Sequence, residues 1–310
     1  MRCSAACSTD GDTERARPAP RGRSSVSLAT DVQHPELKEI RGPAAVGGGA
    51  RRFFDLLWLT ALTQFKLGYH GTVLGFFWSL LRPLLLFSVL LAVFTQVFRF
   101  GDEIENYAGM LLLNIMLYGL FQDATSAAVQ SVVQNESVVR KMQFPRLVIP
   151  LAVVLTTMMQ FSLNLVVVFV IIIATGVQPV WTWVLLPLII AALLLLTTTV
   201  SMLLSALFVR VRDVAIIWAV LATVLFYASP ILYPIEIAPD GFRDIVALNP
   251  LTPLFEQARE WIIDPNAPGA MEAVAGNELL LIVPVALYVA ICVAGVWFFA
   301  REAPRVAEEL

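Results

Sequence analysis

Apolar side chains fill this chain in long runs, and the charged positions fall between the runs in short bursts. Six runs stand out, at about residues 72–98, 107–132, 147–174, 181–209, 214–233 and 279–300. Each reaches the roughly 18–20 apolar residues that carry a helix across the hydrocarbon core of a bilayer. The pattern predicts an all-α polytopic membrane protein with six transmembrane helices. A membrane β-barrel would show short alternating strands instead. The first run is the least clean, because Arg82 and Pro83 lie inside it.

The segments between the runs differ in kind. Over residues 51–70 the apolar positions Phe54, Leu57, Trp58, Ala61, Leu62, Phe65 and Tyr69 recur three and four apart, with Arg52, Asp55, Thr63 and Lys66 largely opposite. That periodicity predicts an amphipathic helix suited to lie in the membrane interface. It serves either as a simple anchor or as a working part of an entrance. Residues 234–278 form a connection too long to be a plain loop. Within it, 240–248 and 251–263 read as two short amphipathic helices broken by Asn249-Pro250, a half-buried re-entrant or surface hairpin. Residues 135–146, NESVVRKMQFPR, make about two helical turns before Pro145 stops them. That segment is either an ordinary basic loop or a helix held for docking into a soluble partner. Residues 1–50, rich in Arg, Pro, Ser, Ala and Gly, predict a disordered tail, and 302–310 a short C-terminal one.

Composition sharpens this picture. Of 310 residues, 58% are hydrophobic and 15% charged, with a mean hydropathy of +0.76. Soluble domains carry about 25% charge. Lys and Arg divide unevenly between the two sides: Arg51, Arg52, Lys66, Arg82, Arg140, Lys141, Arg146, Arg210, Arg212, Arg301 and Arg305 on one, only Arg99, Arg243 and Arg259 on the other. The positive-inside rule makes the first side, and both termini, cytoplasmic in a plasma membrane. Much of the acid sits in the long outer connection. The three cysteines, Cys3, Cys7 and Cys292, predict no disulfide framework.

Candidate chemistry is sparse. The chain lacks a phosphate-binding Gly-x-x-x-x-Gly-Lys-Ser/Thr loop, His-Glu-x-x-His and Gly-x-Ser-x-Gly, and has only two histidines, His34 and His70. A membrane-embedded glycan-processing enzyme would need converging catalytic groups that the pattern does not offer. Asp123 is the one acid well inside a run, too little for proton-coupled transport. Its plain reading is a neutral or hydrogen-bonded carboxyl in a helix interface. Transport powered by this chain alone is poorly supported, and no cofactor or metal binding is expected. Phe76, Phe87, Phe94 and Phe98, spaced 11, 7 and 4, share one helix face. That face is either a lipid or packing surface or the lining of a path.

Five stretches together carry a family resemblance: YHGTVLGFFWSLLRPLL at 69–85, NESVVRKMQFPRLVIP at 135–150, VRVRDV at 209–214, FYASPILYPIEIAP at 226–239 and NPLTPLFEQARE at 249–260. From about residue 51 to 301 the chain resembles the permease subunit of ABC-2 type exporters, in the polysaccharide and polyol-phosphate branch that includes O-antigen, teichoic acid and cell-wall galactan exporters. The resemblance implies a half-transporter. Two copies would pair through the first and fifth spans, each with a separate ATP-binding subunit that holds ATP and Mg. Asn135, Glu136, Val139, Arg140, Lys141, Met142 and Phe144 would form the coupling helix in that subunit's groove. Residues 51–69 would be the interface helix. Lys66, Tyr69, His70 and Arg82 would meet phosphate of a lipid-linked glycan at the cytoplasmic entrance. Phe87, Phe94, Trp218, Phe226 and Tyr227 would line the path, with Phe242, Phe255 and Trp261 in the outer gate helices. The expected cargo is a lipid-linked cell-envelope polysaccharide, with drug or antibiotic efflux as the alternative. Nothing points to nucleic acid.

Overall fold

The computed structural model describes residues 49–69, 75–100, 104, 106–135, 147–274 and 278–302, all within one unit, Ala44–Leu310. Ten α-helices are seen among them: α1 Ala50–Tyr69, α2 Gly75–Gln96, α3 Tyr107–Gln134, α4 Val148–Ala174, α5 Leu186–Arg210, α6 Val214–Tyr227, α7 Asp240–Leu248, α8 Thr252–Ile262, α9 Ala270–Val274 and α10 Glu278–Glu302. Short 3-10 turns at Trp181–Leu185 and Ile235–Ile237 precede α5 and α7. The tail expected over 1–50 falls outside the described residues but for its last two, as does most of 302–310.

The centre of the bundle is α3. Its residues 110–117 are apolar but for Asn114, on every side of the helix, and such a helix must be covered all round. α4 and α5 cover it most extensively, with α2, α6 and α8 completing the sleeve. Leu111, Leu112, Leu113 and Leu117 are wholly buried. α10 runs along α5, and α1 along α4, where Leu57 and Ala61 pack on Val148 and Ala152.

One close approach and two polar ties hold α10 against α5. A Cβ on Gly295 of α10 would lie 2.5 Å from the Thr199 carbonyl oxygen of α5, so only glycine lets the two backbones meet there. Beside it, the Tyr288 hydroxyl donates to the Ala192 carbonyl at 2.8 Å. At the end of the same pair, Arg210 binds the buried Glu302 carboxylate at 2.5 Å. This tie places the C-terminal ends of α5 and α10 together, with Arg301 stacked over Trp297 and Arg212 over Phe208.

Four helical stretches are long and apolar enough to cross a membrane: Phe77–Gln96, Val148–Ala174, Trp181–Arg210 and Ile282–Glu302. The other two expected runs depart from the pattern in opposite ways. α3, with 28 residues, is about 42 Å long at 1.5 Å per residue, but amides, hydroxyls and Asp123 interrupt it. α6 is apolar but has only 14 residues, about 21 Å, where a run to 233 was expected. It stops because Ser229 precedes Pro230, a position that disfavours helix. The Ser229 hydroxyl turns back to the Leu225 carbonyl at 2.7 Å.

Pro83 lies inside α2. Its missing N–H deprives the Ser79 carbonyl of its usual helical partner. Asn164 of α4 reaches across and directs its Nδ2 at that carbonyl, at 3.5 Å.

Candidate functional site

Between α1, α2, α3 and α4 lies a cavity of about 930 Å³. Its chemistry is unlike that of the apolar helices around it. Six carboxamides line it, Gln64, Gln122, Gln134, Asn135, Gln160 and Asn164, with one base, Arg82, and one acid, Asp123. Helical periodicity explains the convergence. On α3 the residues 119, 122, 123, 127, 131 and 134 recur at three- and four-residue steps and share one face. On α4 the same steps join Thr156, Thr157, Gln160 and Asn164, and on α2 Ser79, Arg82 and Leu86. Sequence reasoning singled out Arg82, Asp123 and, for coupling, Asn135, but passed over the other amides. The signal was present as polar residues at helical spacing within the runs 107–132 and 147–174.

Many of the hydroxyls are spent locally. Thr156 and Thr157 donate to their own helix at 2.7 and 3.1 Å, and Ser131 to Ala128 O at 2.7 Å. The amides of Gln122 and Gln160 engage no described residue. Oδ1 of Asn164, itself 8% exposed, has no partner among the described residues. Arg82 stands close enough to Asp123 for its charge to act on the carboxylate.

The expected entrance residues separate. Arg82 lines the cavity. Lys66 is exposed in the last turn of α1, and Tyr69, half-buried, packs edge-on to Phe65 with centroids 5.0 Å apart. His70 lies outside the described residues. Of the coupling set only Asn135 is described. It follows α3 at the rim of the cavity, and its Nδ2 donates to Ser131 O at 2.8 Å. A second hollow of about 330 Å³ joins it to Leu59, Thr63 and Leu67 of α1. Glu136, Val139, Arg140, Lys141, Met142 and Phe144 lie outside the described residues.

The expected path aromatics also part company. Phe226 lines the cavity, edge-to-face with Tyr118 at 5.3 Å. Trp218 is buried against Phe121, its indole N–H donating to Thr125 Oγ1 at 3.1 Å. Phe87 is buried in the core, Phe94 stacks on Phe98 at 5.2 Å, and Tyr227 is exposed. Phe76 is not among the residues whose side chains are described.

A polar stripe on α3, missed in the sequence, positions α6 and the chain that leaves it. Tyr107 donates to Leu232 O at 2.8 Å, Asn114 to Pro230 O at 3.1 Å, and Tyr118 to Ala222 O, while Thr125 receives the Trp218 N–H. Positions 107, 114, 118 and 125 fall within about 40° on a helix. In hydrocarbon, such bonds are the available glue between helices.

The connection 234–278 is tied down by charge. Arg259 of α8 binds Glu236 at 3.1 Å and the buried Glu256 at 3.4 Å, and Glu256 also accepts the Ile235 N–H at 3.1 Å. Burial pushes the Glu256 carboxyl up to about 7, and the nearby Glu236 adds to this; Arg259 and the Ile235 N–H pull only partly the other way. Among the expected outer-gate residues, Phe255 is fully buried and Phe242 is half-exposed, 6.2 Å from Tyr233. Trp261 packs on the core and offers its carbonyl to Thr182.

An all-helical bundle with several membrane-length helices and a polar internal cavity defines a multi-pass membrane protein of transport type. Residues 55–263, more than half of the chain, match the ABC-2 type transporter family, and the chain belongs to that family. Its relatives include an O-antigen export system permease protein RfbA of Myxococcus xanthus, 29% identical over 71% of this chain and 85% of that protein. Two from Klebsiella pneumoniae are 30% identical over 67% of this chain and 80% of theirs, and 27% identical over 83% and 95%. The resemblance carried by the five sequence stretches holds.

Proposed function

We propose that this chain is the permease half of an ATP-driven exporter that moves a lipid-linked cell-envelope polysaccharide from the cytoplasmic to the outer face of the plasma membrane. The observation that carries this reading is kinship over most of the chain with permeases named for O-antigen export. The cavity accords with it: amides and hydroxyls suit a sugar chain better than a greasy drug.

Power comes from a separate ATP-binding subunit, which holds ATP and Mg. It docks at the coupling segment 135–144, which leaves α3 at the cavity rim. A second copy of the chain meets the apolar faces of α2 and α6, where Val89, Ile216, Ile217 and Val220 are exposed. Six spans, α3 and α6 among them, then cross the membrane with both termini cytoplasmic. The Arg210–Glu302 tie supports this, since it holds basic residues of two helix ends on one side. At the entrance Lys66, Tyr69 and His70 meet the phosphate by hydrogen bonds, charge-assisted from the basic side chains, while Arg82 stands in the cavity. Phe226 and Tyr227 of α6 line the path, and α7 and α8 form the outer gate.

Depleting the protein and sizing the polyprenyl-linked glycans left inside the cell tests this reading. Accumulation of a lipid-linked polymer, with loss of that polymer from the surface, is expected. A normal envelope with no accumulation would overturn it in favour of small-molecule efflux.

A further inference from the structure

The cavity between α1 and α4 has a charge balance that separates it from a plain phosphate site. Its described lining holds one guanidinium, Arg82, and one carboxylate, Asp123, and the two act on each other. The described lining sets one base beside one acid, so it holds no cluster of cations for an anion. A single carboxylate beside a guanidinium is equally poor for a divalent cation, which takes six or more oxygen ligands. What remains in excess is neutral hydrogen-bonding capacity. Gln122 and Gln160 present unengaged amides, and Asn164 keeps a buried carbonyl oxygen without a described partner. A buried polar group without a partner is costly, and more so in a protein surrounded by lipid.

Amides, with a donor and an acceptor side by side, match the adjacent hydroxyls of a sugar ring. Asp123 accepts from hydroxyls and Arg82 donates to them, so the pair serves a neutral polyol as two complementary partners. Phe226, half-buried, adds ring surface for the apolar C–H face of a sugar. A volume of about 930 Å³ lies at the upper end of the roughly 300–1,000 Å³ that holds a drug-sized ligand. That is ample for two sugar rings and far too small for a polymer.

We propose that this cavity is a recognition site within one protomer for one or two uncharged sugar residues of the cargo. The inference rests on the export reading and deepens it: each protomer holds a short piece of glycan beside Phe226 of α6, with Gln122, Asp123, Gln160 and Asn164 as its hydrogen-bonding groups.

Gly119 supplies the test. It lines the cavity, and a Cβ added there meets nothing within 4 Å. Gly119→Leu therefore fills the cavity without disturbing the helix, and Gly119→Ala is its control. The permease is purified with its ATP-binding partner in lipid nanodiscs. Binding of neutral reducing disaccharides, at millimolar concentration, is read by saturation-transfer NMR, with inorganic pyrophosphate as the anionic probe. The expected result is saturable disaccharide binding that survives Gly119→Ala, weakens about ten-fold or more in Gly119→Leu and in Gln160→Ala, and resists competition by pyrophosphate. Absence of disaccharide binding in the wild type, equal binding in Gly119→Leu, or displacement by pyrophosphate would overturn the proposal. Each variant is also assayed for ATP hydrolysis, so a misfolded complex is recognised and replaced by the Gln160→Ala reading. The export reading stands or falls separately, by the depletion experiment: a cell that loses the protein and keeps its surface glycan refutes export whatever the disaccharides do.

Discussion

α2 and α3 are both long helices of the same bundle, and they invert the usual rule for soluble proteins. α2 has a mean hydropathy of 2.0 over its spanning stretch, yet almost none of its side chains is fully buried, and Val89 is 62% exposed. α3 carries Asn114, Tyr118, Gln122, Asp123 and Thr125, yet among the described helices it is the one with the most buried residues. Lipid is as apolar as leucine, so burial gains little for α2, whereas hydrogen-bonding groups have partners only inside. In this bundle greasiness marks the outside, and polar residues mark the core and the cavity.

The comparison breaks hardest where backbones touch. Gly295→Leu should force α5 and α10 apart at Thr199 and abolish the folded, monodisperse protein on size exclusion. Gly119→Leu, also a glycine within a helix, should leave it intact. Next in size is the contrast between the two helices. Leu117→Ala in α3 should cost about 2–5 kcal/mol through the void it leaves, read as a clear fall in melting temperature. Leu85→Ala on the outer side of α2 should leave the protomer's melting temperature nearly unchanged and act, if at all, on association of two copies.

Smaller effects sharpen the polar side of the account. Asn114→Leu should cost about 1 kcal/mol by releasing the turn at Pro230. Asn164→Ala should cost more in the wild type than in a Pro83→Ala background, because alanine restores the N–H that Asn164 replaces at Ser79. A double-mutant cycle measures that coupling directly. Smallest is a pH effect in the outer connection. The raised Glu256 carboxyl binds its proton more tightly folded than unfolded. Its contribution is therefore fully present below the ordinary glutamate range and declines as pH rises towards about 7. Glu256→Gln keeps an acceptor for Ile235 and should flatten that decline in a melting-temperature profile between pH 5 and 8.

Much of this was legible in the chain. The amphipathic pattern of 51–70 became α1, with Leu57 and Ala61 on its packed face. Asn249-Pro250 separates α7 from α8 where a break was expected. The motif stretches placed the protein in its family. Other features were hidden because they depend on partners distant in sequence. Nothing local tells that Asn164 reaches the Ser79 carbonyl that Pro83 leaves without its helical N–H, or that Arg259, beside Glu256, also joins Glu236. Hydropathy made 214–233 one run, since Ile231, Leu232 and Tyr233 are as apolar as a span; Pro230 and the tethers from α3 end the helix first. An aromatic stripe looks the same whether it faces lipid, core or path, and of the stripe in the first run Phe87 is buried in the core while Phe98 is exposed.

The most direct test of the central claim is transport by the purified parts. The permease and its ATP-binding subunit are reconstituted in proteoliposomes loaded with the host's own polyprenyl-linked glycan, and its appearance on the opposite leaflet is followed with a membrane-impermeant lectin. The account predicts glycan transfer that requires ATP hydrolysis and is lost in Gly119→Leu. ATP hydrolysis without glycan transfer, in a complex that moves small hydrophobic drugs instead, would contradict it.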